Sequence, residues 1–316
     1  MPSLNILVVQ RLSDKQINMI SQIGMDIKVT VCKKYEAINY IVDTDVLITW
    51  GQHDIRELLP KANRLKWVHA LSAGVDNLLS PELINSNITL TNSRGIHGIP
   101  MAEHVLAMML TFTRAIHQTY ENQKTKTWQH LSLEELYDKS IAIIGLGSIG
   151  REIAKRAKCL GMKVLATKRT MTQEIFVDKL YPMDQLPHLL SSADFVIVTL
   201  PLTEQTKGLF SLEMFRNMKK SAYFINVARG AIVNEADLMT ALETNVIKGA
   251  ALDVFEQEPL PETSPLWDIE NLIITPHIAA NSPYYIDRAL KLFIENLSKF
   301  YNDAEMLNIV NKQVGY

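Results

Sequence analysis

A chain of 316 residues, of which 47% are hydrophobic and 21% charged, has the size and composition of two globular domains. The balance of 32 basic against 34 acidic residues gives no basis for a nucleic-acid partner. Two distant cysteines without metal-ligand spacing predict a reduced, cytoplasmic setting and no metal site. Arg11 interrupts the apolar N-terminal stretch and no 18 apolar residues run together, so neither a signal peptide nor a membrane span is expected.

The first part of the chain alternates short apolar runs with helical patterns, which is typical of βα units and a parallel sheet. The predicted strands are Leu4–Val9, Ile27–Val31, Val46–Trp50 and Leu65–Leu71, and the predicted helices are Ile17–Ile23 and Tyr35–Ile41. The last strand leads into Ser72-Ala-Gly-Val-Asp76. Gly74 therefore lies where open α/β sheets place ligands, although on this evidence it could equally serve only a turn.

A long helix is predicted to begin at Pro100, because proline suits the first position of a helix. Its apolar residues, including Met101, Val105 and Met109, follow helical spacing and are interpreted as packing positions. A polar segment, residues 118–129, comes next. The helix therefore looks like a connector between two lobes.

The stretch Ser140-Ile-Ala-Ile-Ile-Gly-Leu-Gly-Ser-Ile-Gly150 joins a buried strand to a helical pattern through three glycines spaced G-x-G-x-x-G. Gly145 would allow the tight turn, Gly147 the approach of a pyrophosphate, and Gly150 the close packing of helix on strand. The alternative is a glycine-rich turn without a ligand. The flanking strand and helix favour a dinucleotide site, with the phosphates at the helix N-terminus.

After Gly150 the α/β rhythm resumes, with predicted strands at Lys163–Thr167, Phe195–Leu200, Ala222–Val227, Ile247–Leu252 and Leu272–Thr275. A last helical pattern, residues 283–301, has no strand left to cover in this second lobe. We expect it to cross back and pack on the first lobe, which makes the first domain discontinuous.

The first strand after the glycines is the second strand of the Rossmann unit, and its end bears on which dinucleotide is bound. A Rossmann site usually has an acidic residue there, which holds the ribose hydroxyls, but this chain has Lys168 and Arg169. Two cations would attract a 2′-phosphate, and no carboxylate would repel it. The alternative is a solvated basic pair. The pattern favours NADPH over NADH.

Three further residues supply groups that the reduction of a 2-oxo acid needs. Arg229 follows a strand and would bind the substrate carboxylate or polarise its carbonyl. His277 would give a proton to the oxygen, and Glu258 would orient the ring and favour its protonated form. Taken singly, each has an ordinary alternative: a surface ion pair, a capped loop residue or a solvated acid.

The order and surroundings of these residues resemble the D-isomer-specific 2-hydroxyacid dehydrogenase family. The resemblance covers nearly the whole chain and is carried by Ser72–Asp76, Gly145–Gly150, Leu200-Pro-Leu-Thr203, Asn226-Val-Ala-Arg-Gly230, Leu252-Asp-Val-Phe255 and Thr275-Pro-His277. It implies an α/β fold with two Rossmann-like doubly wound parallel-sheet domains and a cleft between them. Residues 1–98 with 284–316 would form a flavodoxin-like substrate-binding domain, and residues 99–283 the dinucleotide-binding domain.

The resemblance also implies roles for residues at matching positions. Arg229, Glu258 and His277 match the catalytic set, and the N–H groups of Ala73 and Gly74 match a loop that holds the substrate carboxylate. The positions matching cofactor contacts are Met101 near the nicotinamide, Ser148 and Ile149 at the pyrophosphate, Leu200, Thr206, Val227 and Ala228 along the cofactor, and Asp253 at the carboxamide. Family members are usually homodimers joined through the long helix, here near residues 100–120.

The family often has an aspartate at the position of Lys168. With a lysine there, the chain resembles the NADPH-using branch of glyoxylate/hydroxypyruvate and 2-ketoacid reductases. The segment Arg94–His104 differs from that of phosphoglycerate dehydrogenases, and we expect no regulatory extension after Tyr316. The expected activity is therefore reduction of a small 2-oxo acid to the D-2-hydroxy acid with NADP(H) preferred and NAD(H) possible. The alternatives are an NAD(H)-dependent phosphoglycerate- or lactate-like dehydrogenase and a dinucleotide-sensing, corepressor-like binding protein.

Overall fold

A computed structural model describes residues 3–24 and 26–314, so Tyr316 lies outside the described residues. The chain divides into two compact units, Met1–His97 with Ser282–Tyr316 and Gly98–Asn281. Each unit is built on a parallel sheet with helices, which confirms the predicted α/β class. Among the helices in the described ranges, none has the length and apolar character needed to cross a bilayer.

The sheet of the first unit has the strand order β2-β1-β3-β4-β5 within the described residues. Its strands are β1 Leu4–Val8, β2 Ile27–Val31, β3 Val46–Thr49, β4 Trp67–Ala70 and β5 Thr89–Asn92. Its helices are α1 Asp14–Ser21, α2 Pro81–Ile84 and α9 Tyr285–Tyr301. The amphipathic α9 packs its apolar stripe on one face of this sheet, where Phe293 stacks on Trp67 with ring centroids 4.9 Å apart.

One predicted helix of this unit forms differently. Residues Tyr35–Ile41 lie in two short 3₁₀ helices, Lys34–Asn39 and Ile41–Asp43. In these pieces only Ala37 and Ile41 are buried, so too few apolar contacts hold a longer α-helix.

The sheet of the second unit has the order β12-β11-β10-β9-β6-β7-β8 within the described residues. Its strands are β6 Ser140–Ile144, β7 Lys163–Thr167, β8 Lys179–Tyr181, β9 Phe195–Val198, β10 Tyr223–Asn226, β11 Gly249–Leu252 and β12 Leu272–Ile274. Its helices are α3 Gly98–Thr113, α4 Ile116–Lys124, α5 Ser148–Cys159, α6 Leu186–Ser192, α7 Leu212–Arg216 and α8 Glu235–Glu243. The order reverses between β6 and β9, and at such a switch point the carboxyl ends of the strands leave room for a ligand.

The helix predicted from Pro100 begins at Gly98 and ends at Thr113. Ala115, with a φ of 49°, turns the chain into α4. The structure thus has two helices where the sequence predicted one near residues 100–120, and α4 continues to Lys124, inside the polar segment that begins at Gln118. The sequence did not mark the limits of α4 because this helix has no buried residue and so no apolar periodicity.

Candidate active site

The glycine-rich turn joins β6 to α5 at the switch point. Gly145 has a φ of 101°, and a Cβ on it would come within 2.9 Å of Leu200 Cδ2. A Cβ on Gly150 would come within 2.9 Å of the Gly145 carbonyl. The Gly145 N–H donates to Thr167 Oγ1 at 2.9 Å, and Thr199 Oγ1 donates to the Gly145 carbonyl at 2.7 Å. Both threonines, which sequence reasoning missed, fix the turn between the ends of β7 and β9.

The N-terminus of α5 has the groups that would hold a pyrophosphate. Arg151 donates its N–H to the Gly147 carbonyl at 3.0 Å, so the N–H groups of Ser148, Ile149 and Gly150 precede the first intrahelical bond. A Cβ on Gly147 would meet no heavy atom within 4 Å, so open space adjoins these donors. The described first turn of α5 has no acidic side chain. The predicted pyrophosphate positions therefore form a suitable anion cradle.

The two cations at the end of β7 have different surroundings. Lys168 Nζ lies 2.5 Å from Glu174 Oε1, and the Lys168 side chain is only 16% exposed. Arg169 is exposed, and no ion-pair partner is found for it among the described residues. Sequence reasoning missed Glu174 because it follows β7 in an irregular segment, where no period relates it to Lys168.

The other predicted cofactor-lining residues lie near the carboxyl ends of strands or on α3. Met101, Val227 and Ala228 are buried in the apolar core of this unit. The Thr206 hydroxyl donates to the Pro201 carbonyl at 2.7 Å. Thr206 therefore shapes the loop after β9 whether or not it contacts a ligand.

The loop after β10 places Arg229, which is half-buried. The Asn226 amide donates to the Arg229 carbonyl at 3.0 Å and accepts from the Ala228 N–H at 3.0 Å. Gly230 is indispensable here, since a Cβ on it would lie 1.9 Å from the Phe255 carbonyl carbon. The absence of a side chain at position 230 thus lets this loop touch the segment that leads to Glu258.

Glu258 and His277 form a hydrogen-bonded pair. His277 Nδ1 lies 2.6 Å from Glu258 Oε2, and the other carboxylate oxygen accepts from the Phe255 N–H at 3.0 Å. The side chain of His277 is 50% exposed and that of Glu258 is 35% exposed. Because Nδ1 is engaged by the carboxylate, Nε2 is the ring nitrogen left for proton transfer with a ligand.

Asp253 is buried beneath the His277 loop. Its carboxylate accepts from Thr275 Oγ1 at 2.6 Å and from the N–H groups of Ile278 and Ala279, both at 2.9 Å. His104 on α3 approaches Thr275 Oγ1 at 3.1 Å, and burial lowers the pKa of His104, although Asp253 opposes that shift. The structure thus gives Asp253 a role in holding the loop, while its predicted contact with a carboxamide stays a prediction.

The loop at Ala73 and Gly74 belongs to the first unit. The Asn92 amide donates to the Ala73 carbonyl at 2.7 Å, and Ser72 Oγ donates to the Gly74 carbonyl at 2.7 Å. Among the described residues, no acceptor is found for the N–H groups of Ala73 and Gly74. This loop therefore has its carbonyls fixed and two donors available.

The chain matches the family model for the D-isomer specific 2-hydroxyacid dehydrogenase NAD binding domain over residues 106–279. It is 34% identical to a glyoxylate reductase from Thermofilum pendens over 288 residues, 88% of this chain and 85% of the relative. In three dimensions it is similar to an NADPH-dependent glyoxylate/hydroxypyruvate reductase from Sinorhizobium meliloti, solved with NADP and sulfate. That comparison has a TM-score of 0.86 and 27% identity, over 99% of this chain and 100% of the relative.

The chain is also 32% identical to D-3-phosphoglycerate dehydrogenase from Methanocaldococcus jannaschii over 312 residues, 98% of this chain but 59% of that relative. It spans only 50–59% of the length of this and two further phosphoglycerate dehydrogenases. The family match rests on more than half of the chain and agrees with the glycine turn, Arg229 and the Glu258–His277 pair. The chain belongs to the D-isomer specific 2-hydroxyacid dehydrogenase family.

Proposed function

We propose that this protein reduces a small 2-oxo acid to the D-2-hydroxy acid and prefers NADPH as the cofactor. The observation that carries the proposal is the 2.6 Å contact between His277 Nδ1 and Glu258 Oε2, in the same unit as Arg229 and the glycine turn. A carboxylate-oriented imidazole and a guanidinium are suited to protonate and polarise a carbonyl group.

The chemistry assigns one role to each group. When bound, NADPH would supply the hydride to the carbonyl carbon. Protonated His277 would give its Nε2 proton to the carbonyl oxygen, while Glu258 accepts the Nδ1–H and stabilises the imidazolium. Arg229 would bind the substrate carboxylate or polarise the carbonyl. No acceptor is found among the described residues for the N–H groups of Ala73 and Gly74, which supports these two positions as the carboxylate-binding ones.

Two observations support NADPH as the preferred cofactor. Lys168 and Arg169 occupy the position at which an acidic residue usually binds the ribose hydroxyls. The similar reductase from Sinorhizobium meliloti is NADPH-dependent. The two cations would attract a 2′-phosphate at the end of β7, and the relative shows the same cofactor preference.

A second candidate is an NAD(H)-dependent dehydrogenase of the phosphoglycerate or lactate type. Glu174 favours it, because its carboxylate neutralises Lys168 at 2.5 Å. The match to a phosphoglycerate dehydrogenase over 98% of this chain also favours it.

The assembly is part of the same proposal. We expect a homodimer through the helices near residues 100–120, where Leu110, Ile116 and Tyr120 are exposed apolar side chains. The cytoplasmic location expected from the cysteines stays a prediction.

The test is a steady-state panel of glyoxylate, hydroxypyruvate, pyruvate and a branched 2-oxo acid, each with NADPH and NADH. D-3-phosphoglycerate with NAD⁺ is assayed in the oxidative direction. We expect the highest kcat/KM for a small 2-oxo acid with NADPH, and a loss of that preference in Arg169→Ala but not in Arg216→Ala, which removes an exposed arginine elsewhere. An equal or higher kcat/KM with NADH would overturn the cofactor preference, and no turnover of any compound would favour a sensor.

A further inference from the structure

Three charged side chains form one cluster next to the glycine turn. Arg151 on α5 holds Glu174 with two parallel bonds, Nη2 to Oε1 at 2.7 Å and Nε to Oε2 at 2.9 Å. Lys168 Nζ, directly after β7, lies 2.5 Å from Glu174 Oε1. A single carboxylate therefore bridges two cations that belong to different elements.

The cluster is better shielded than an ordinary surface ion pair. The side chain of Glu174 is 13% exposed and that of Lys168 is 16% exposed, while that of Arg151 is 48% exposed. Hydrogen bonds from Arg151 and then Lys168 lower the pKa of Glu174 to about 2, so the carboxylate is charged at neutral pH. A fork-shaped guanidinium contact of this kind fixes geometry as well as charge.

The segment that carries Glu174, residues 169–178 between β7 and β8, has few other contacts that hold its middle in place, one of them a hydrogen bond from Lys168 Nζ to Thr172 Oγ1. Its backbone bonds there are local, from Thr172 to Thr170 and from Val177 to Glu174. Met171 is 52% exposed and Ile175 is 91% exposed, so these apolar side chains do not anchor it in a core. The position of this segment therefore depends strongly on Glu174.

The cluster lies where the adenosine ribose of a dinucleotide meets the sheet. Ile144 and Thr167 are register partners at the ends of β6 and β7, and Thr167 Oγ1 accepts the Gly145 N–H. Lys168 is the next residue, at the position that reads the ribose 2′ substituent in an open α/β sheet. Glu174 thus holds two cations, Lys168 and Arg151, next to this position.

We propose that Glu174 is a cofactor-specificity residue that takes the place of the 2′-phosphate in the free protein, and that Arg151 joins Lys168 in binding that phosphate once Glu174 is displaced. This inference rests on the proposed preference for NADPH. A phosphate has close to two negative charges and three acceptor oxygens, against one charge on the carboxylate, so it can take over both cations. NADP(H) has to displace the carboxylate, whereas NAD(H) does not. Glu174 therefore weakens NADP(H) binding selectively.

The test is isothermal titration of the full chain with adenosine 2′,5′-bisphosphate and with adenosine 5′-monophosphate, which probe this end of the site without turnover. In Glu174→Gln we expect the Kd for the bisphosphate to fall about tenfold, because a like charge has been removed, with the monophosphate Kd changed less than about threefold. Glu152→Gln is the matched control, since it removes a carboxylate paired with Arg156 on the same helix, and should leave both constants unchanged. In Arg151→Met we expect the bisphosphate Kd to rise about tenfold, so the proposal does not depend on how one variant folds.

The outcomes separate this inference from the proposed function. Tight bisphosphate binding that neither Glu174→Gln nor Arg151→Met changes would sink the inference and leave NADPH preference standing. A higher Kd for the monophosphate in Glu174→Gln would show instead that the carboxylate binds the ribose hydroxyls. That outcome would also overturn the inference. If the parent protein binds the monophosphate as tightly as the bisphosphate, the NADPH preference itself fails.

Discussion

His277 is held from two directions. Its backbone has a φ of 52°, which costs a residue other than glycine roughly 1 kcal/mol. Asp253 offsets that cost by accepting the next two N–H groups at 2.9 Å each, while Glu258 fixes the ring from the side. The imidazole is therefore pre-positioned before any ligand binds, as a proton donor in catalysis needs to be.

Replacement of His277 by alanine tests the assigned role. We expect kcat to fall by about two orders of magnitude or more, the usual scale for the loss of a general acid, with a smaller change in the KM for the cofactor. The measurement is steady-state kinetics with the best substrate of the panel. His130→Ala, which removes an exposed histidine, is the control. A kcat within threefold of the parent in His277→Ala would remove this residue from the chemistry.

At the scale of elements, the cap of α5 illustrates how a single glycine ends a helix. Gly161, with a φ of 75°, donates its N–H to the Lys158 carbonyl, and Met162 donates to the Ala157 carbonyl at 3.1 Å. These are the two bonds of a Schellman cap. A Cβ on Gly161 would lie 2.6 Å from Tyr137 Cδ2, but this exposed ring can shift, so the backbone conformation is what favours glycine.

We therefore expect Gly161→Ala to lower the free energy of unfolding by about 1–2 kcal/mol, as measured by urea denaturation. Asn245 ends α8 in the same way, with a φ of 53° and an exposed side chain. Asn245→Gly should leave stability unchanged or slightly higher, because glycine relieves that conformation. Equal stability of Gly161→Ala and the parent would show that the cap tolerates a side chain.

The sequence predicted apolar elements well and short or polar ones poorly. Strand β7 matches its predicted limits, Lys163–Thr167, because apolar runs buried on both faces are easily recognised. The strands β5, Thr89–Asn92, and β8, Lys179–Tyr181, were missed because they are short, partly polar edge strands of their sheets. The break before α4 and the extent of this helix to Lys124 were missed for the related reason that no apolar stripe marks it.

The residues of the candidate site also fall into two groups, those that a sequence motif marks and those that it does not. Motif residues such as Arg229 and Glu258 stand out in the sequence because the order of their neighbours is distinctive. The residues that support them do not: Thr199 holds Gly145, and Glu174 reaches Lys168, through contacts that depend on how loops fold. Sequence reasoning could thus name the reacting groups, whereas the side chains that position or neutralise them required coordinates. The roles of the named groups stay predictions.

For the whole molecule, a buried histidine contributes to the response of stability to acid. His69 is fully buried between Thr91 Oγ1 at 2.8 Å and Ser93 Oγ at 3.2 Å, and burial lowers its pKa from 6.5 to about 3. In the window between these values the unfolded chain binds a proton that the folded chain does not. Stability therefore falls as the pH drops from 6.5 towards 3.

The size of this effect can be measured by urea unfolding at pH 7 and pH 5. At about 1.4 kcal/mol for each pH unit below 6.5, His69 should account for a loss of about 2 kcal/mol at pH 5. His69→Gln keeps a polar side chain but cannot take up that proton, so its loss between the two pH values should be smaller by that amount. His130→Gln serves as the exposed control, and an identical loss in both variants would exclude His69 as the source.

The chain order of the two units has a consequence for biosynthesis. The ribosome releases residues 1–97 before residues 98–281, but α9, which covers Trp67 with Phe293, is made after both. Residues 98–281 are contiguous and can complete their own sheet while the earlier one still waits with an apolar face exposed. The nascent first sheet thus keeps an apolar face exposed until the second unit has been translated, and during that interval it is a candidate for binding a chaperone.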